Sequence, residues 1–279
     1  MLPIHLALVS EIPDHDPGDV ARVAAALQRQ ATRDFRPIWN VEATVDAFPR
    51  LEDVPVSYWP MIVETDIDTP GAAGVHEDKD GQPFALIAMS DSWSLTASHE
   101  MLEMLADPFG KRVIPGKSPK RDQGRVEFLV EVCDPCEADQ FAYTVNDILV
   151  SDFYTPDYFD PRHSEGTRYS YTGAITRPRQ VLRGGYLSWH DPVSDHWWQE
   201  VYFKQRREFR DLGVFDARAG SLRAWIDGQT DHPGIDQGLK RSNVTLKAAV
   251  AVGEETRESS SAKAEAWRKQ IRSLRRAKK

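Results

Sequence analysis

Cysteine is nearly absent from this chain: two residues in 279, Cys133 and Cys136. No disulfide framework can therefore hold the fold, and a hydrophobic core has to do so. Long hydrophobic runs are lacking too. No apolar stretch approaches the roughly 20 residues that span a bilayer. The opening Met1-Leu2-Pro3-Ile4-His5-Leu6-Ala7-Leu8-Val9 has neither a basic start nor a long apolar block. It reads as a first strand rather than a secretion signal, which makes the cytoplasm the default compartment. The two cysteines form a Cys-x-x-Cys pair, but no second ligand pair stands at zinc-ribbon spacing. Acidic neighbours also argue against a redox dithiol, because they do not lower a thiol pKa.

What is present is the composition of a globular protein, 41% hydrophobic and 28% charged, with enough chain for one large domain or two small ones. The net charge of −8 is unevenly spread: Val244–Lys279 holds ten Lys/Arg against four Asp/Glu, leaving −14 on the first 243 residues. The body is acidic and the tail basic.

Ser98-His99-Glu100-Met101-Leu102-Glu103-Met104-Leu105-Ala106-Asp107-Pro108 carries the chemistry. On a helix, His99, Glu103, Asp107 and Glu100 fall within a sector of about 100°, and Met101, Leu105 and Leu102 lie opposite. An imidazole and a carboxylate at i and i+4 point the same way and can share a metal. Glu100, beside the first ligand, suits a general base acting on water at that metal. The pattern is H-E-x-x-E where the usual device is H-E-x-x-H.

In chain order, Ile4–Val9 predicts a buried strand, Val20–Phe35 a helix ended by Pro37, and Ile38–Phe48 and Ser57–Ile67 two further strands. The Gly/Pro-punctuated stretch 69–83 predicts a loop or broad hairpin, in which His76 is a candidate substrate contact. Phe84–Met89 is an apolar strand leading into the motif helix over 94–106, with Ser94 or Thr96 as its cap. Arg125–Val132 alternates as a half-buried strand and runs into Cys133-Asp134-Pro135-Cys136-Glu137. Either Glu131 or Asp134 could complete coordination of His99 and Glu103. Glu131 is favoured, from the polar side of that strand. Asp107 is a candidate for orienting His99 or for ligation. From Phe141 to Phe203, aromatics and turn residues predict irregular β structure. Ser242–Ser261 reads as a linker, and Ala262–Lys279 as a basic helix suited to an acidic partner or nucleic acid.

The order Ser-His-Glu-x-x-Glu, Asp107-Pro108 and then Glu131-x-x-Asp134-x-Cys136 resembles zincin-like metallopeptidases of a bacterial and phage H-E-x-x-E group. It is more distantly similar to the EXORDIUM (phosphate-induced) family of secreted proteins, with Cys133 standing where that family has glycine. The likeness spans residues 93–137 most clearly. It implies an α+β zincin-like metalloprotease fold: a mixed sheet with a metal-binding active-site helix, and an irregular aromatic-rich second half. Residues 1–137 would form the N-terminal half, 138–241 the rest of the catalytic domain, and 242–279 the linker and tail. One divalent metal, most simply zinc, on His99, Glu103 and Glu131, with Glu100 as base, would hydrolyse a peptide or protein substrate. The alternative is a non-catalytic binding or structural protein of the same fold, with a structural metal.

Overall fold

The computed structural model describes residues 2–67, 72–79, 81–230 and 268–269. Apolar runs at the start of the chain build a five-stranded mixed sheet. In chain order its elements are β1 (Ile4–Ser10), α1 (Pro17–Arg29), α2 (Arg36–Trp39), β2 (Ala43–Phe48), β3 (Trp59–Glu64), β4 (Gly74–Lys79) and β5 (Gln82–Ala88), followed by α3 (Trp93–Ala106). The strand order is β2-β1-β3-β5-β4, parallel except for β4, which runs antiparallel to β5 at the edge. Alternation sorts the side chains. Leu6, Leu8, Met61, Val63, Ala85 and Ile87 join one core with residues of α1 and α3, while Ala7, Val9, Ile62, Val75, Phe84 and Leu86 join another with Leu51, Val54 and Ile67. Both faces are buried, which is why these strands are apolar without a break.

The second sheet is antiparallel, in the order β12-β11-β10-β7-β6: β6 (Val113–Lys117), β7 (Arg125–Leu129), β10 (Tyr186–Asp191), β11 (His196–Val201) and β12 (Glu208–Gly213). A hairpin, β8 (Tyr143–Val145) with β9 (Ile148–Val150), lies between β7 and β10 in sequence, and α4 (Leu222–Asp227) follows β12. Buried Tyr154, Tyr158, Tyr169 and Trp189 fill the aromatic-rich half and belong to the same core as α1 and α3. The chain is thus mixed α and β with a mixed sheet. Among the described residues no helix is long and apolar enough to cross a membrane.

Several boundaries differ from the sequence expectations. Pro37 does not end the first helix. α1 passes through a π-helical turn, Gln30–Phe35, into α2, where Pro37 stands in the first turn, the part of a helix that best tolerates proline. The chain leaves α2 at Asn40, which is left-handed at φ 54°. The strand expected from Ile38 therefore starts only at Ala43. α3 begins at Trp93 behind Ser92, with no side-chain cap, and Ser94 instead donates to Leu149 O at 3.0 Å. The 69–83 stretch does yield a hairpin, β4–β5. β7 stops at Leu129, so Glu131 lies past the strand. Of the expected linker and basic helix only Arg268 and Lys269 fall within the described residues. Arg268 pairs with Glu11 at 3.1 Å and with Glu52, both on the body.

Candidate metal centre

Three elements and the segment after β7 converge on one buried cluster. α3 provides His99, Glu100 and Glu103, and β4 provides His76. The short turn Asp134–Cys136 and the residues before it provide Glu131 and Asp134, and α4 provides Arg223 and Asp227. α3 is held in place one residue ahead of His99. Ser98 Oγ donates to Gln30 Oε1 at 2.7 Å and accepts from Ser151 N at 2.9 Å, tying α3 to the π-helical turn and to the end of β9. Gln30 in turn donates to Ser151 O at 3.0 Å. The helix is buried nearly all round rather than along one stripe, because the acidic sector seen in the sequence faces the cluster and not water.

Within the cluster His99 Nε2 lies 3.2 Å from Glu103 Oε2 and 3.3 Å from Asp134 Oδ1. Each carboxylate is held by its other oxygen. Glu103 Oε1 accepts from Cys133 N at 3.2 Å, and Asp134 Oδ2 accepts from Arg223 Nη1 at 3.1 Å. Glu103 Oε2 and Asp134 Oδ1 make no hydrogen bond although both are buried. A buried polar atom left without a partner costs several kcal/mol or about 1–3 kcal/mol, depending on the reference state. Both oxygens thus lie beside the same imidazole nitrogen. Four groupings of donor atoms within 4.8 Å of one another occur here, His99–Glu103–Cys133, His76–Glu100–Glu103, His99–Asp134–Glu137 and Glu103–Glu131–Asp134.

The sequence candidates occupy distinct places. Glu131 pairs with Arg223 Nη1 at 3.1 Å and does not approach His99 within ion-pair distance. Asp107 ends α3 and accepts from Arg112 N, so it shapes the turn after the helix and joins none of these groupings. His76 is not in a loop. It stands on β4 with no solvent exposure, its Nδ1 3.5 Å from Glu100 Oε2 and 3.7 Å from Glu103 Oε2. From that position His76 backs the two glutamates. Glu100 packs against the backbone of β4, where a Cβ on Gly74 would come within 2.6 Å of Glu100 Oε1. Cys133 and Cys136 are both buried thiols, and burial pushes their pKa values well above the ordinary range.

Arg223 and Asp227 escaped the sequence reading, since the chain after Lys204 shows little periodicity. Their signal is local: Ser221 caps the helix by accepting from Ala224 N at 3.1 Å, and a basic and an acidic residue follow at i and i+4. The Arg223 guanidinium, 5% exposed, contacts Glu103, Glu131, Asp134 and Asp227 at 3.1 to 3.4 Å. Burial alone would lower the His99 pKa, but the charge of Glu103 with Asp134 raises it well above the usual imidazole value. Burial opposes ionisation of Glu103, and His99 and Arg223 more than offset it, holding that carboxyl well below its usual range. Glu131 is pushed well up by burial, against the pull of Arg223. His99, with 13% of its side chain exposed, marks where the cluster reaches solvent.

Comparison with protein-family models, curated proteins and solved structures finds no match to this chain.

Proposed function

We propose that the chain is a zincin-like metallopeptidase that holds one divalent cation, zinc, on His99 Nε2, Glu103 Oε2 and Asp134 Oδ1. The observation that carries this reading is the spacing of 3.2 and 3.3 Å from the imidazole nitrogen to two buried oxygens that make no hydrogen bond. A tetrahedron with bonds of about 2.0–2.1 Å has edges of about 3.3–3.4 Å, and the two distances from His99 Nε2 match such edges. Asp134 is the third ligand in this reading, in place of the Glu131 favoured from strand alternation, because Arg223 engages both acids but only Asp134 also comes within 3.3 Å of His99 Nε2.

When bound, zinc supplies Lewis acidity, polarising a peptide carbonyl and making water a nucleophile near neutral pH. Glu100, adjacent to His99 and outside the ligand trio, would accept a proton from the attacking water and return it to the leaving amine. Arg223 orients Asp134 through Oδ2, and Cys133 N orients Glu103 through Oε1, so both ligands are held before anything binds.

Metal analysis of purified protein tests the reading. About one zinc per chain is expected after incubation with zinc, and His99→Ala should abolish it. A folded wild type that takes up no divalent metal would sink the proposal. Glu100→Gln should retain zinc and lose peptide hydrolysis. The burial of Glu103 and Asp134, 0% and 2% exposed, favours a second reading in which the metal is structural. That reading predicts zinc-dependent thermal stability with no turnover of any peptide by the wild type.

A further inference from the structure

A second site lies on the far face of the antiparallel sheet. Trp197 and Gln199 of β11 face the end of the chain that carries α4, contacting Ile226 and Thr230 respectively. Alternation sends the next residue, Glu200, to the opposite face with its register partners Leu187 and Phe209. There an open cleft of about 520 Å³ is lined by Lys117 at the end of β6, Arg177 and Arg179 of the loop before β10, and Arg207 of the β11–β12 connection. Its size falls within the range of small-molecule sites, about 300–1,000 Å³.

Four basic residues thus line the cleft with one carboxylate, Glu200, whose Oε1 lies 3.4 Å from Arg207 Nη1. Among the described residues neither Lys117 nor Arg177 takes part in an ion pair. Arg179 is fixed by its surroundings. Its backbone is left-handed at φ 54°, unusual for a residue other than glycine. Its N donates to Tyr158 O at 2.9 Å, and Nη1 donates to Phe159 O at 3.1 Å and Asp160 O at 2.7 Å. Those side-chain bonds use one of the three guanidinium nitrogens. The loop itself is closed by Gln180 Oε1, which accepts from Thr176 N and Thr176 Oγ1 at 2.9 and 3.0 Å. A body of net charge −14 over its first 243 residues thus gathers cations from three separate segments into one concavity. Like charges converge in this way at a cost in repulsion, and a bound anion removes it.

We propose that this cleft is a binding site for a small polyanion of the phosphate type, held by forked guanidinium contacts from Arg177 and Arg207 and by the point charge of Lys117. The proposal is independent of the metal centre, which lies toward the opposite face of the sheet. Calorimetric titration of the full chain with pyrophosphate, at low ionic strength and with metal removed, tests it. Saturable binding of one pyrophosphate per chain is expected. The double substitution Lys117→Gln/Arg177→Gln, at two exposed positions, should weaken it at least tenfold. Lys79→Gln/Lys111→Gln removes the same charge outside the cleft and should change affinity by less than twofold, and His99→Ala should leave it unchanged. Absence of saturable binding would overturn the proposal. Equal weakening by both double variants would do the same, by showing that only overall charge attracts the anion, and so would loss of binding in His99→Ala.

Discussion

At the scale of single residues the proposed metal centre turns on which carboxylate reaches His99. Asp134 and Glu131 both touch Arg223 at 3.1 Å, but only Asp134 also comes within 3.3 Å of His99 Nε2. Asp134→Asn should therefore reduce zinc affinity by far more than Glu131→Gln, measured by competition with a chromophoric chelator. The reverse order would return the metal to Glu131. Arg223 is the cation that both acids share in the metal-free protein. Removing one partner of a buried ion pair costs about 3–5 kcal/mol, because the remaining charge stays buried alone. Arg223→Met should lower stability to denaturant by that order without zinc, and by less with zinc bound, since the metal neutralises Asp134. Equal losses in both states would show that Arg223 acts outside the metal's electrostatic reach.

At the scale of elements, two joints set the position of α3. The first is Ser98. Ser98→Ala strands the Ser151 N–H and the Gln30 amide oxygen, a loss of about 2–3 kcal/mol that thermal unfolding should register. The second is the close approach of β4 at Gly74. Gly74→Ala puts a methyl group within 2.6 Å of both Glu100 Oε1 and Thr96 Cγ2, so Glu100 or the strand has to move. Zinc content should persist while hydrolysis falls tenfold or more; parallel loss of both would mean that β4 also holds the ligand set. These joints explain what the sequence could disclose. The i, i+4 placement of His99 and Glu103, and the apolar runs of β1, β3 and β5, are local patterns and could be read directly. The π-helical turn that lets Pro37 sit inside a continuous helical stretch is set by Gln30 and Asp34. Their partners are Ser98, Ser151, Tyr143 and Tyr171, all far away in sequence. His76 looked like a loop residue because Gly74 and Asp80-Gly81 bracket only a six-residue strand, and its burial depends on packing against α3. Arg223 is legible only as a capped i, i+4 pair, and its four acidic contacts arise from tertiary structure.

At the scale of the whole molecule the cluster stores pH dependence. Burial, together with the carboxylates of Asp134 and Glu100, raises the Asp227 carboxyl to about 7 despite the opposing Arg223. A carboxyl with a folded pKa above its unfolded value keeps its proton in the native state after the unfolded chain has lost it. Its contribution is complete at low pH and is lost as pH rises from about 4 to about 7, by at most about 4 kcal/mol. Metal-free wild type should therefore lose stability relative to Asp227→Asn across that interval in denaturant titrations. A flat or opposite difference would refute the assignment. Zinc bound at the proposed site would displace protons from His99 and from the raised carboxyls, so the gain in melting temperature on adding zinc should be larger at pH 7 than at pH 5.

The contact between Arg223 and Asp134 joins residues 89 positions apart, and this separation imposes a timetable. A ribosome emits the chain from its N-terminal end at about 5–20 residues per second, so roughly 4 to 18 seconds pass between the appearance of the acid and that of its base. During that interval Glu103, Glu131 and Asp134 have emerged without Arg223, the guanidinium that pairs with all three in the folded chain.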